Sequence, residues 1–169
     1  MNAIRPIRIL GLDPGLRRTG WGVVDASGSR LSHVAHGVIA VKETLPFAER
    51  LATLYAAIEG VIAAHAPDEA AVEETFMNDN ARSALKLGHA RACCLIAPAR
   101  AGIVVAEYAA TVVKKAVVGT GGADKAQVGF MIRRLLPTAG DTTSDAADAL
   151  AVAIAHAHAR TVKGLRGAA

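Results

Sequence analysis

Arg8-Ile9-Leu10-Gly11-Leu12-Asp13-Pro14-Gly15, followed by Thr19-Gly20-Trp21-Gly22-Val23-Val24, decides what kind of sheet this chain builds. Arg8 to Leu12 is a short apolar strand, and Asp13-Pro14-Gly15 is a turn that ends it. Thr19 to Val24 is a second strand, reached after only Leu16-Arg17-Arg18. Asp25 to Ser29 is another turn cluster, and Leu31 to Val41 a third strand. Three strands joined by short turns predict an antiparallel meander. The period then becomes helical, with Phe47, Leu51, Leu54, Tyr55, Ile58 and Ile62 on one stripe that stops at Pro67. A strand over Ala70 to Glu74, a helix from about Asn80 to Ala97 and a strand over Ile103 to Ala106 come next. After the Gly119-Thr120-Gly121-Gly122 loop, Val128, Met131, Ile132, Leu135 and Leu136 mark an amphipathic helix. A last helix runs from near Ser144 to about Arg160. This order predicts an α/β fold with a mixed five-stranded sheet flanked by helices. Residues 1–160 form one domain, and 161–169 a frayed tail.

The 169 residues suffice for a real core, but only 4% are aromatic against 52% hydrophobic, so Ala, Val, Leu and Ile must fill it. A net charge of +4 permits a polyanionic partner without requiring one. Cys93 and Cys94 are adjacent, too close for an unstrained disulfide, and no C-x-x-C pair suggests zinc. Reduced, packed thiols are expected. Met1 to Leu10 carries Arg5 and Arg8 without a long apolar run, so no signal peptide is expected. No stretch approaches the ~18 apolar residues of a membrane span. The expected location is the cytoplasm.

Three acidic sites stand at the ends of apolar elements. Asp13 ends the first strand, where it could equally cap its own turn. Glu73 and Glu74 end another strand and face opposite sides of the sheet, so one of them faces the side open to Asp13. Asp145 and Asp148 share a face in the first turn of a helix, where a helix N-terminus attracts anions. Asp148, however, is embedded in Ala146-Ala147 and Ala149-Leu150-Ala151-Val152-Ala153-Ile154, and a buried carboxylate needs a partner. Clustered carboxylates suit Mg²⁺ or Mn²⁺, and two such ions can cleave a phosphodiester. The histidines are scattered, and only His156 and His158 at the end of the last helix leave a question open.

The segments Gly11-Leu12-Asp13-Pro14-Gly15 and Thr19-Gly20-Trp21-Gly22 resemble the opening of the RuvC-type Holliday-junction resolvases. Glu73-Glu74-Thr75-Phe76-Met77, Asn80 and Ser83-Ala84-Leu85-Lys86-Leu87-Gly88 are similar to the second motif of that family. Tyr108, Lys114, Val118-Gly119 and Lys125 follow its basic segment, and Ser144-Asp145-Ala146-Ala147-Asp148-Ala149-Leu150-Ala151 its last motif. The resemblance implies a ribonuclease-H-like fold and paired, Mg²⁺-dependent nicking of four-way junction DNA, with about two ions per site. It also implies a homodimer and docking to the RuvA–RuvB branch-migration complex. Asp13, Glu73, Asp145 and Asp148 match its acidic ligands, and the resemblance selects Glu73 over Glu74.

Between Tyr108 and Pro137 stand Lys114, Lys115, Lys125, Arg133 and Arg134 against the single acid Asp124. Such clusters are often solvated helix faces, but Lys114 and Lys125 match the family and are expected on phosphate. Phe76 is expected either in the core or stacked on an unpaired base at the junction centre. Ala84, Gly88 and Ala92 offer a close-packing dimer face on the second helix. The competing readings are a related nuclease acting on RNA, an actin or sugar-kinase type nucleotide binder, and a non-catalytic binder of DNA structures. At 169 residues the nucleotide binder has no room for its second half.

Overall fold

Alternation along β1 (Ile7–Asp13) sorts the molecule into two cores. The structure is a computed structural model, which describes residues 5–74 and 80–167, with side chains as far as Thr161. β1 pairs antiparallel with β2 (Arg18–Ser27), which pairs antiparallel with β3 (Arg30–Ala40). On its other edge β1 runs parallel to β4 (Glu69–Glu74), and β4 parallel to β5 (Val104–Ala109). The sheet order is β3-β2-β1-β4-β5. The expected meander and the mixed five-stranded sheet are both present.

Leu10, Leu12, Ala70 and Val72 face α1 (Phe47–His65) and α2 (Ala81–Arg100), where Leu54, Ile58 and Cys94 complete one core. Ile9 and Ala71 face the other way, towards α3 (Ala110–Val118), α4 (Lys125–Leu135) and α5 (Ser144–Gly167). Cys93 and Cys94 are free and buried, and burial pushes both thiols up from their ordinary range.

α5 is the centre of the second core. From Ala146 to Ala157 every residue except Asp148 is buried, so the helix is apolar nearly all round. It continues to Gly167, beyond the expected end near Arg160. Small residues let it lie directly on the sheet. A Cβ added at Gly11 would run into the Ala149 carbonyl and stand 2.7 Å from the Ala153 nitrogen. One added at Gly22 would stand 2.6 Å from Leu150 Cδ2. One at Gly20 would strike the Asp145 carbonyl.

α3 is the element that the sequence pattern does not announce. Thr111, Val112, Val113, Val117 and Val118 are β-branched, which favours strand over helix. The signal that could reveal it is Gly119, the left-handed C-cap at φ 92°. α2 also runs past its expected end, carrying Pro98 within its last turn.

Because backbone atoms of α5 meet Gly11, no side-chain movement can accommodate a methyl group there. Gly11→Ala should cost about 1–3 kcal/mol and lower Tm by roughly 3–10 °C in a chain of this size. Gly60→Ala in exposed α1, where an added Cβ meets nothing within 4 Å, should instead hold or raise Tm. Thermal melts of the two variants check the contrast.

Candidate active site

Leu12 pairs with Val72, so the next residues, Asp13 and Glu73, stand side by side at the carboxyl ends of two central parallel strands. Strand alternation places both on the α5 side, with Gly11 and Ala71, and sends Glu74 to the other. The ambiguity between Glu73 and Glu74 is thereby decided by geometry as well as by resemblance. The first turns of α5 bring Asp148 to the same place. Asp13, Glu73 and Asp148 line one cleft of about 280 Å³ together with Lys114 of α3 and Lys125 of α4.

Electrostatics sets this cleft apart. Burial pushes the Asp13 carboxyl up to about 8, reinforced by Glu73, Asp148 and Asp145 and opposed by Lys125. Glu73 is raised by burial and by Asp148, against Lys114 and Lys125. Asp148 is raised by burial, against the Lys125 ammonium. No donor among the described residues reaches the Asp13 carboxyl within hydrogen-bond distance. Three carboxyls crowded in this way, short of positive charge, have the chemistry of a site for a hard divalent cation.

As they stand, no three His, Cys, Asp or Glu side chains among the described residues converge closely enough to hold one ion. The acids lean on protein cations instead. Asp148 Oδ2 lies 3.7 Å from Lys125 Nζ, which also donates to Ser144 Oγ at 3.3 Å. Lys125 opens α4, whose N-cap Asp124 and Gln127 form a reciprocal capping box. Asp145 stands apart from the other three at the rim of the cleft, where it accepts from Arg18 Nε at 2.7 Å. Arg18 is a site residue that sequence reasoning missed. It lies 127 positions from Asp145, and nothing local to either residue reveals the pair. Phe76 lies outside the described residues.

A second network went unread. His156, only 7% exposed, places Nε2 2.6 Å from Glu69 Oε2 and Nδ1 2.8 Å from the Tyr108 hydroxyl. With a neutral ring, Nε2 donates to the carboxylate and the tyrosine donates to Nδ1. Arg160 Nε donates to the same Glu69. His156 therefore ties α5 to β4 and β5, four residues before Glu73 on β4 and eight after Asp148 on α5. His158 faces the Ala116 carbonyl, with Nδ1 at 3.2 Å.

The family profile described as Crossover junction endodeoxyribonuclease RuvC matches residues 9–156. The crossover junction endodeoxyribonuclease RuvC of Caulobacter sp. (strain K31) is 73% identical over 161 residues, covering 95% of each chain. The protein of the same name from Caulobacter vibrioides is 70% identical over 161 residues, again covering 95% of each chain. The structure of Thermus thermophilus RuvC in complex with Holliday junction substrate superposes with a TM-score of 0.86 at 31% identity, covering 93% of this chain and 96% of that one. The yeast mitochondrial Holliday junction resolvase Ydc2, at 12% identity and a TM-score of 0.68, shares the fold. The profile match, the curated relatives and the shared architecture agree over nearly the full length: this chain belongs to the crossover junction endodeoxyribonuclease RuvC family.

Proposed function

We propose that this chain resolves Holliday junctions in DNA recombination and repair by paired nicks in two strands. The observation that carries the proposal is the cleft that the half-buried carboxyls Asp13, Glu73 and Asp148 line together with Lys114 and Lys125, in a chain of this family. The family is one of metal-dependent nucleases. The donor set fits, being all carboxylate, with no thiol or imidazole in the lining. Asp13, Glu73 and Asp148 would hold the metal, and Asp145 completes the set from the rim. Mg²⁺, or Mn²⁺ in its place, at two ions per site is the reading that this chemistry favours. When bound, such ions supply charge neutralisation at the phosphodiester and make nearby water easier to deprotonate.

The remaining work belongs to the chain itself. Lys114 and Lys125 bind the phosphate oxygens and hold the strand over the carboxyls. Lys125 meanwhile opposes the upward push that burial gives the Asp148 carboxyl. Water adds to phosphorus, one P–O ester bond breaks, and the departing oxygen takes up a proton. Phe76, two residues beyond β4, is proposed to stack on an unpaired base at the junction centre. A junction presents two equivalent strands, so two copies related by a two-fold axis cut both. The face proposed for that contact is an apolar groove of about 450 Å³ on α2 lined by Ala81, Ala84, Leu85, Gly88, His89 and Ala92, with Leu85 68% exposed. Docking to the RuvA–RuvB branch-migration complex and a cytoplasmic setting complete the proposal. Among the described residues no helix is long and apolar enough to cross a membrane.

A nicking assay on a synthetic four-way junction, run with Mg²⁺ and with EDTA beside a linear duplex, tests the function. Symmetric cuts on the junction alone, and only with Mg²⁺, are expected. Asp13→Asn, Glu73→Gln and Asp148→Asn should each lower the rate by at least about a hundredfold, the scale on which single electrostatic catalytic groups act. Junction binding by these variants should persist. Near-normal cutting by any of them removes that residue from the site.

The raised carboxyls also predict a pH dependence. Asp13 sits at about 8 in the folded chain against 3.8 ordinarily, so the fold favours its protonated form. Stability from this group is fully present below about pH 4 and is lost as pH rises through about 8. In EDTA, Tm should fall between pH 5 and 8.5. In Asp13→Asn that fall should flatten. A wild-type Tm independent of pH over this range would contradict the assignment.

A further inference from the structure

Tyr108 belongs to the segment that resembles the family's basic motif, yet it does not line the acidic cleft. It is the β5 partner of Glu73, so the two side chains stand on the same face of the sheet. Its hydroxyl donates to His156 Nδ1 at 2.8 Å. Burial and Glu69 hold the phenol above its ordinary value, which keeps it a donor at neutral pH. His156 in turn donates from Nε2 to Glu69 Oε2 at 2.6 Å, and Arg160 Nε donates to the same carboxylate at 2.9 Å.

This network is the polar end of an otherwise apolar contact. Over its buried length α5 meets the sheet mainly through small apolar residues. Apolar contact is non-directional, and one alanine packs much like the next, so such a surface says little about where along the strand the helix stops. A short, fully paired hydrogen-bond network does say so, because it fits one arrangement only. The spacing connects it to the cleft. Asp148 precedes His156 by eight residues along α5, and Glu69 precedes Glu73 by four along β4. Eight residues of helix rise about 12 Å, and four of strand about 13 Å. The helix runs against the strand, with His156 at Glu69 on one end of this span and Asp148 in the cleft with Glu73 on the other. Sliding α5 by one residue would move Asp148 by about 1.5 Å and turn it by about 100°. The same slip would break the His156 bond.

We propose that His156 is a positioning residue for the nuclease: anchored by Tyr108 and Glu69, it fixes the register of α5 on β4 and so the placement of Asp148 relative to Glu73. The proposal rests on the metal-dependent function above, in which these two carboxyls hold the metal.

Calorimetric Mn²⁺ binding, at a temperature well below the Tm of every variant, tests it on folded protein. His156→Leu removes both bonds and keeps much of the volume. It should weaken Mn²⁺ about two- to thirtyfold, the range over which residues outside a site shift its affinity. It should also lower kcat on junction DNA while KM for the junction holds, because Lys114 and Lys125 are untouched. His156→Gln, whose amide can donate to Glu69 from about the position of Nε2, should recover most of both losses. Tyr108→Phe keeps the ring and removes only the donor, and should weaken Mn²⁺ in the same direction. Should His156→Leu fail to fold, Tyr108→Phe carries the test. Wild-type Mn²⁺ affinity in the folded variants, whatever happens to Tm, would overturn the proposal and leave a histidine with a purely structural role. A His156→Gln variant as weak as His156→Leu would overturn it too. Absence of Mn²⁺ binding by wild type would sink the metal-dependent function and this role with it, whereas normal wild-type binding with unaffected variants sinks this role alone.

Discussion

Everything at the acidic cleft depends on how closely α5 approaches β1 and β2. Gly11, Gly20 and Gly22 remove the Cβ atoms that would hold the helix off, and backbone atoms of α5 occupy the space they leave. The approach fixes the height of Asp148 above Asp13 and Glu73. It also accounts for the composition. A helix buried nearly all round and lying on glycine must be built from small residues, and Ala146, Ala147, Ala149, Ala151, Ala153, Ala155 and Ala157 are buried along it. A core of this kind gains its stability from many small contacts rather than a few aromatic rings.

That approach has an electrostatic consequence. Carboxyls gathered in a half-buried cleft repel one another and resist ionisation, which destabilises the fold at neutral pH. The chain offsets part of this with Lys125 at Asp148 and Arg18 at Asp145. Asp13 receives no such partner, and it carries the largest shift of the group. A divalent cation bound there, as proposed, would relieve it and would return the stability given up at the cleft.

Much of this was legible in the sequence. The meander, the strand at Glu73 and the Asp145/Asp148 face follow from side-chain period and turn residues, which act locally. An Asp among alanines, as at Asp148, announced that its carboxyl needs a partner. Whether Glu73 or Glu74 faced Asp13 was beyond periodicity alone, because it depends on which side of the sheet α5 covers. α3 was illegible because its valines pack in a helix while their local preference is for strand. The pairings Arg18–Asp145 and His156–Glu69 join residues 127 and 87 positions apart, and only tertiary packing creates them.

The central claim is that the cleft holds protons which a divalent cation replaces. Calorimetric titration of the protein with Mn²⁺ at pH 7, in two buffers of different ionisation enthalpy, measures that exchange directly, since the difference in apparent enthalpy counts protons released on binding. The account predicts release of about one proton per site by wild type, because Asp13 is protonated before the metal arrives, and release close to zero by Asp13→Asn. Saturable Mn²⁺ binding by wild type with the same enthalpy in both buffers would contradict it.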